Sequence, residues 1–243
     1  MNKVTTIAKM IDHSILHPTL TDDDLRRECE VAKKYHVASV CVKPYAVKMA
    51  AQLLSGCDVI VGCVIGFPAG NSVIAVKAFE TETACRDGAV EIDMVINIGK
   101  ALQEDWNYIE EEIKTVVDIS HRYEAITKVI FETDFITRDE HKIRLCEICN
   151  KVGADYVKTS TGFGFVKGED GKFSYKGATA HDLELMRKYS APAVKIKAAG
   201  GVRTLTDLLK FKELGISRCG ATATISMLEE AKKLYGEDIE TTL

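Results

Sequence analysis

The chain has 243 residues, 46% of them hydrophobic, and its 32 basic against 36 acidic side chains leave a formal charge of −4. That is ample material for one large core, so a single domain over residues 1–243 is expected. The absence of any like-charged block argues against nucleic acid or an anionic membrane as partner.

The first ten residues, MNKVTTIAKM, lack the apolar core of roughly 7–15 residues that a signal peptide needs, and no apolar run approaches the about 18 residues of a spanning helix. The expectation is a soluble, cytoplasmic protein. Eight cysteines in a chain of this length without an export signal read as reduced core residues. Cys146 and Cys149 have C-x2-C spacing, yet both lie on the apolar stripe of a predicted helix, and zinc would need a second pair that is not nearby.

Short β-branched or apolar runs recur at Ile11–His13, Ser39–Val42, Val59–Ile65, Ile92–Ile96, Lys128–Phe131, Asp155–Lys158, Val194–Lys197 and Arg218–Gly220. Helix-sized amphipathic stretches separate most of them. Start signals stand at Thr21-Asp22-Asp23-Asp24, Thr137-Arg138-Asp139-Glu140 and Thr204-Leu205-Thr206-Asp207. Alternation of strand and helix with near-continuous apolar strands implies a parallel sheet covered by helices. Eight such repeats match a single-domain (β/α)8 barrel with a short N-terminal helix. The runner-up is an open doubly wound sheet, which lacks the G-x-G-x-x-G expected after its first strand.

In a barrel, catalytic groups gather at the carboxyl ends of the strands. Lys158 ends the sixth and runs into Thr159-Ser160-Thr161-Gly162-Phe163, while Lys197 closes the seventh and leads into Ala198-Ala199-Gly200-Gly201-Val202-Arg203. A lysine that loses its proton near neutral pH attacks carbonyls and forms a Schiff base, and a second ammonium beside it favours the free amine. One strand-end lysine alone also fits a structural ion pair. Asp93, in Glu91-Ile92-Asp93-Met94-Val95-Ile96, falls on the face opposite Ile92 and Met94; a carboxylate buried there needs a partner, which the lysine pair offers either as relay or as counter-ion. Gly200-Gly201 and Gly220 with Thr222 fit anion binding by backbone N–H groups, although tight turns explain the same glycines. The turn Phe67-Pro68-Ala69-Gly70-Asn71 follows the third strand.

Taken together, Glu91-Ile92-Asp93-Met94-Val95, Val157-Lys158-Thr159-Ser160-Thr161-Gly162-Phe163 and Lys197-Ala198-Ala199-Gly200-Gly201-Val202-Arg203 resemble the deoxyribose-phosphate aldolases. The likeness runs almost end to end, through Asp12-His13-Ser14, Val40-Cys41-Val42 and Gly66-Phe67-Pro68-Ala69-Gly70-Asn71 with Lys77 and Glu80. It implies a class I aldolase, without metal or cofactor, that reversibly cleaves 2-deoxy-D-ribose 5-phosphate to acetaldehyde and D-glyceraldehyde 3-phosphate in deoxyribonucleotide catabolism. By that likeness Lys158 forms the Schiff base, with Lys197 and Asp93 moving protons. Asp12, Cys41, Thr161 and Lys43 lie around the substrate, while Gly162, Gly200, Gly201, Gly220 and Thr222 hold the phosphate. For Cys41, packing within the strand is an equal reading.

Relatives commonly carry a Gly-x-Ser-Ser-like loop after the eighth strand, whereas this chain reads Gly220-Ala221-Thr222-Ala223-Thr224. Weakened or reshaped phosphate recognition follows, at about 1 kcal/mol for one neutral hydrogen bond. The last tyrosine is Tyr235, and the sequence ends at Leu243 without the terminal tyrosine of some relatives, so no tail-assisted proton transfer is expected. Small-molecule aldehydes and sugar phosphates are the implied partners, together with a second copy in a homodimer. Two alternatives stand beside this reading: a Schiff-base aldolase for another sugar phosphate, and a non-catalytic phosphosugar-binding barrel.

Overall fold

The computed structural model describes residues 1–239; Leu243 and its missing tyrosine lie outside them. After a short N-terminal helix α1 (Lys3–Ala8), strands and helices alternate: β1 (Ile11–Ile15), α2 (Asp22–Lys34), β2 (Ser39–Val42), α3 (Val47–Leu53), β3 (Ile60–Ile65), α4 (Ile74–Arg86) and β4 (Glu91–Val95). A short α5 (Ile98–Leu102) precedes α6 (Trp106–Arg122), followed by β5 (Ile126–Ile130), α7 (Asp139–Val152) and β6 (Tyr156–Lys158). A hairpin of β7 (Val166–Lys167) and β8 (Phe173–Ser174) interrupts the alternation before α8 (Ala180–Tyr189), β9 (Lys195–Ala199), α9 (Leu205–Glu213), β10 (Arg218–Ala221) and α10 (Thr224–Tyr235).

Eight parallel strands close in the order β1-β10-β9-β6-β5-β4-β3-β2, which settles the barrel against the open sheet. Capping chemistry starts several helices where expected. Thr21 and Asp24 form a reciprocal capping box on α2, and Thr204 caps α9. On α7 the cap position is Arg138 and not Thr137, with Asp139 and Glu140 placed at the positive end of the helix dipole.

The apolar core lies between strands and helices. Outward-facing Val40, Val42, Ile92, Met94, Val129, Val157 and Ile196 pack with Leu25, Ile113, Val117, Leu145, Cys149, Leu183 and Leu228 of the surrounding helices. Cys146 and Cys149 are buried in this layer, as their place on the helical stripe predicts, and all eight cysteines are free. A second apolar cluster of Leu16, Cys41 and Val64, with Phe67 and Phe163, sits apart from it.

One buried ion pair ties the β3 and β4 loops to the helix layer. Lys77 Nζ, on α4, donates to Gly70 O at 2.8 Å, Val95 O at 2.7 Å and Glu112 Oε1 at 2.6 Å, and Glu112 Oε2 accepts from Asn97 N at 2.8 Å. Both side chains are fully buried. Burial pushes the Lys77 ammonium down and the Glu112 carboxyl up, the pattern of a pair whose charges are sustained mainly by each other. Glu112→Ala strands the ammonium and is expected to lower unfolding stability by about 3–5 kcal/mol, read from chemical denaturation; an unchanged midpoint would show that Lys77 finds other partners.

Candidate active site

Period-two alternation turns Asp12, Glu91, Asp93, Lys128, Lys158, Lys197 and Arg218 into the barrel, where they form one charge network. Lys158 on β6 lies directly beside Lys197 on β9, and Asp93 on β4 beside Lys128 on β5. Asp93 Oδ2 accepts from Lys158 Nζ at 2.6 Å and from Lys197 Nζ at 2.7 Å. Its Oδ1 lies 3.1 Å from Lys128 Nζ, an ion-pair contact without hydrogen-bond alignment. Lys197 also reaches Asp12 Oδ2 at 2.6 Å, and Lys128 spans the lumen to the same oxygen at 3.2 Å while meeting Glu91 Oε2 at 2.5 Å. Arg218 closes the network from below, bonded to Asp12 Oδ1 and, at 2.8 Å, to Glu91 Oε1.

Two positions differ from the sequence-based expectation. Asp12, read from the sequence as the end of the first strand, is the second residue of a five-residue strand, and Lys197 is the third of five, so neither ends its strand. Their strands continue because His13 pairs with Ala221, and Ala198 and Ala199 pair with Cys219 and Gly220. Asp12 therefore lies deep in the barrel with both oxygens engaged by Lys197, Lys128 and Arg218, below the mouth where a substrate contact was expected.

Burial by itself would raise the pKa of Asp12 and Asp93. The lysines override it, together with Arg218 for Asp12, and both carboxyls fall below the usual carboxylate range. Among the lysines the balance divides. Burial opposes the charge on each, but Asp12 and Asp93 outweigh it for Lys128 and Lys197, whose pKa values rise. Lys158 alone of the three moves down, first through burial, with Lys197's charge adding to the effect and Asp93 opposing it. The neighbouring cation anticipated from sequence is thus the lesser cause, and desolvation the greater.

Above the network opens a cavity of about 520 Å³. Its lining includes Ser14, Thr161, Gly162, Gly200, Gly201, Gly220 and Thr222, bringing together all the glycines singled out for an anion. A Cβ on Gly220 would stand 3.5 Å from Lys197 Cε, which places the cavity floor against the lysine layer. Lys158, 3% exposed, does not itself line this space; Thr161 and Gly162 of the loop that follows it do. The loops meet backbone to backbone: a Cβ on Gly177 would fall 2.3 Å from Gly200 O, and Gly177 has φ +68°, so only glycine fits. At the α10 end Ala223 supplies no side-chain cap, and the buried Thr224 hydroxyl is held by His13 Nδ1 at 2.8 Å. Thr222 stays exposed on the cavity wall.

The expected substrate contacts divide. Thr161 lines the cavity, but its hydroxyl donates to Glu132 Oε2 and accepts from Phe163 N at 2.9 Å, so it first shapes its own loop. Cys41 faces inward and packs with Leu16 and Val64; burial pushes its thiol up to about 11, leaving it an uncharged packing group. Lys43 donates to His17 O and Leu20 O at 3.2 and 3.0 Å, bracing the β1 loop.

Sequence reasoning missed Lys128, Glu91 and Arg218, and placed Glu132 only among the polar residues that follow the fifth strand. Lys128 was within reach of it, since period-two reading of Thr127-Lys128-Val129 sets it opposite the two apolar-layer neighbours. Glu132 is fully buried with left-handed backbone (φ +57°), and burial raises its carboxyl pKa.

Residues 6–226 match the profile described as DeoC/LacD family aldolase. A deoxyribose-phosphate aldolase of Rhodopirellula baltica is 47% identical over 230 residues, covering 95% of this chain and 91% of the relative. Another, of Bacillus mycoides, is 49% identical over 227 residues, covering 93% and 96%. Among solved structures, a putative deoxyribose-phosphate aldolase from Coccidioides immitis superposes with TM-score 0.86 at 34% identity, over 95% of this chain and 87% of that one. The tetrameric deoxyribose phosphate aldolase from Aeropyrum pernix gives 0.84 at 27%, over 96% and 93%. An inward lysine with a lowered pKa, paired through one carboxylate to a second lysine, is the equipment of Schiff-base chemistry, and the chain belongs to the DeoC/LacD family of aldolases.

Proposed function

We propose that this aldolase reversibly cleaves 2-deoxy-D-ribose 5-phosphate to acetaldehyde and D-glyceraldehyde 3-phosphate through an imine on Lys158. One observation carries the reading: of the three lysines in the barrel lumen, Lys128, Lys158 and Lys197, it is Lys158 whose pKa falls, and it shares Asp93 Oδ2 with Lys197. The relatives named above act, by their names, on deoxyribose phosphate. The free Lys158 amine adds to the substrate's C1 aldehyde and water leaves. As the C2–C3 bond breaks, its electron pair moves onto the imine to give an enamine, and the C3 hydroxyl loses its proton. Protonation of the enamine at C2 and hydrolysis then release acetaldehyde and restore the amine.

Asp93 is too firmly ionised to be a strong base. Its part is to hold both Nζ atoms on one oxygen, so that a proton passes between the Lys197 side and the reacting centre, with a water completing the relay. The phosphate is assigned to the glycine edge of the cavity. Gly162, Gly200, Gly201 and Gly220 offer close backbone approach there, and the first turn of α10, free of a side-chain cap, contributes its dipole. Thr222 is the side-chain hydroxyl on that wall. A cytoplasmic, catabolic setting accords with this chemistry, and no helix among the described residues is long and apolar enough to cross a membrane.

A homodimer is assigned to the outer face of α4. Val76 and Phe79 on α4 are 51% and 70% exposed and border one surface depression with Tyr45, 64% exposed, from the segment before α3, an apolar patch of the kind that marks an interface.

Three outcomes are expected. Borohydride reduction in the presence of acetaldehyde leaves an ethyl adduct on Lys158, read by peptide mass mapping; active protein without it would sink the mechanism. Lys197→Leu lowers turnover by about 100-fold or more and moves the ascending limb of the pH–rate profile upward. The sign follows from the charges: removing the cation that depresses the Lys158 pKa leaves Asp93 to stabilise its ammonium, so more alkaline solution is needed to free the amine. A limb that stays put or moves down contradicts this. Phe79→Lys yields monomers by light scattering, where the parent gives dimers; a monomeric parent would remove the assignment.

A further inference from the structure

The hairpin β7–β8 has no part in the chemistry above, yet it borders the cavity. Phe165 and Tyr175, at its two stems, both line the 520 Å³ space and meet edge to face with ring centroids 5.4 Å apart. Behind Tyr175 lies a second cavity of about 390 Å³, also bordered by Val166 and Ser174, so the hairpin stands as a partition. It is fixed at both ends by consecutive carboxylates of the β5 loop. Glu132 holds Thr161 by its N–H at 3.2 Å and by its hydroxyl, and Thr161 in turn receives Phe163 N. Asp134 Oδ1 accepts from Lys176 N at 2.5 Å, and its Oδ2 from Gly177 N at 3.0 Å. Strand pairing of Val166 with Ser174 and of Lys167 with Phe173 stiffens what lies between.

The wall so placed has two chemical characters. Phe165, with Phe163, Leu16 and Val202, gives the cavity an apolar side. Tyr175 Oη accepts from Arg203 Nη2 at 3.2 Å, and Arg203 is the one permanently charged side chain on the lining among the described residues. Exposed arginine otherwise has many rotamers, so the tyrosine hydroxyl selects one that keeps the guanidinium at the cavity edge.

From these contacts we infer that the hairpin is the specificity wall of this aldolase. Phe165 seats an apolar tail on the acceptor aldehyde, and Tyr175, acting through Arg203, seats a phosphate tail. The inference rests on the Schiff-base reading and adds no new bond chemistry. In the synthetic direction the Lys158 enamine of acetaldehyde forms its carbon–carbon bond at the acceptor carbonyl, the oxygen takes a proton, and water releases the product. Phe165 and Tyr175 act on which acceptor is held there. Tyr175 is a positioning residue, since it works through Arg203.

The test measures kcat/KM for D-glyceraldehyde 3-phosphate and for hexanal, with acetaldehyde as donor, in the wild type, Phe165→Ala and Tyr175→Phe. The readout is the ratio of the two values. Phe165→Ala moves the ratio toward the phosphorylated acceptor by about three- to tenfold, the worth of one aromatic contact. Tyr175→Phe keeps the ring and frees Arg203, moving the ratio the other way by about fivefold, carried by KM for the phosphorylated acceptor. Ratios that stay fixed, or move together, overturn the wall. Borohydride trapping at Lys158 in the same three proteins separates the two readings. A wild type that does not trap overturns both, whereas trapping with unmoved ratios overturns the wall alone.

Discussion

Asp93 is the constraint on which the rest of the site depends. One fully buried carboxylate keeps three lysines inside a barrel whose lumen, in many proteins of this architecture, is filled by branched aliphatic side chains. Desolvating so many charges is expensive, and only a closed arrangement in which each finds opposite partners sustains it. The network has three carboxylates, Asp12, Glu91 and Asp93, against four basic groups, Lys128, Lys158, Lys197 and Arg218. Fully ionised, it carries one positive charge too many. Releasing a proton from Lys158 balances it, and Lys158 is the lysine nearest the mouth-side loop and the one without a second carboxylate. The reactive amine and the stability of the lumen thus have one electrostatic origin.

Much of this was legible in the chain. Lys158 and Lys197 announced themselves because each follows an apolar run and precedes a small-residue loop, and Asp93 because period-two reading put it opposite Ile92 and Met94. Depth was not legible. A strand reads the same whether a residue sits at its rim or two positions below, and only the pairing of β1 with β10 and β2 shows that Asp12 lies inside the barrel and not at its edge. Lys128, Glu91 and Arg218 went unread for a related reason: a lysine or arginine within a strand looks like a solvent-facing residue until the partners across the lumen are known. The hairpin escaped because each of its strands has only two residues, both exposed, and periodicity needs more than that to register.

Chemistry and selectivity occupy different layers. Below, charged side chains fix the protonation of the amine; above, glycine backbone on one side and aromatic rings on the other form the space that a substrate's far end enters. The link between the layers is Thr161. Its hydroxyl, expected to touch substrate, is spent on Glu132 and on Phe163 N, so the loop leaving the catalytic strand is the loop that raises the aromatic wall.

The glycine seam beneath that wall bears on how such an enzyme can diverge. Gly177 and Gly200 press main chain against main chain with Gly162 beside them, and the left-handed backbone at all three strains any side chain placed there, whatever the substrate. Sequence change there is closed to selection for new substrates. The hairpin lies beyond the seam, with both strands exposed, and is held at its stems by Glu132, through Thr161, and by Asp134. Lineages are therefore free to lengthen, shorten or recolour it while inheriting the lysine network unaltered, so that acceptor preference can drift quickly above a reaction that stays the same.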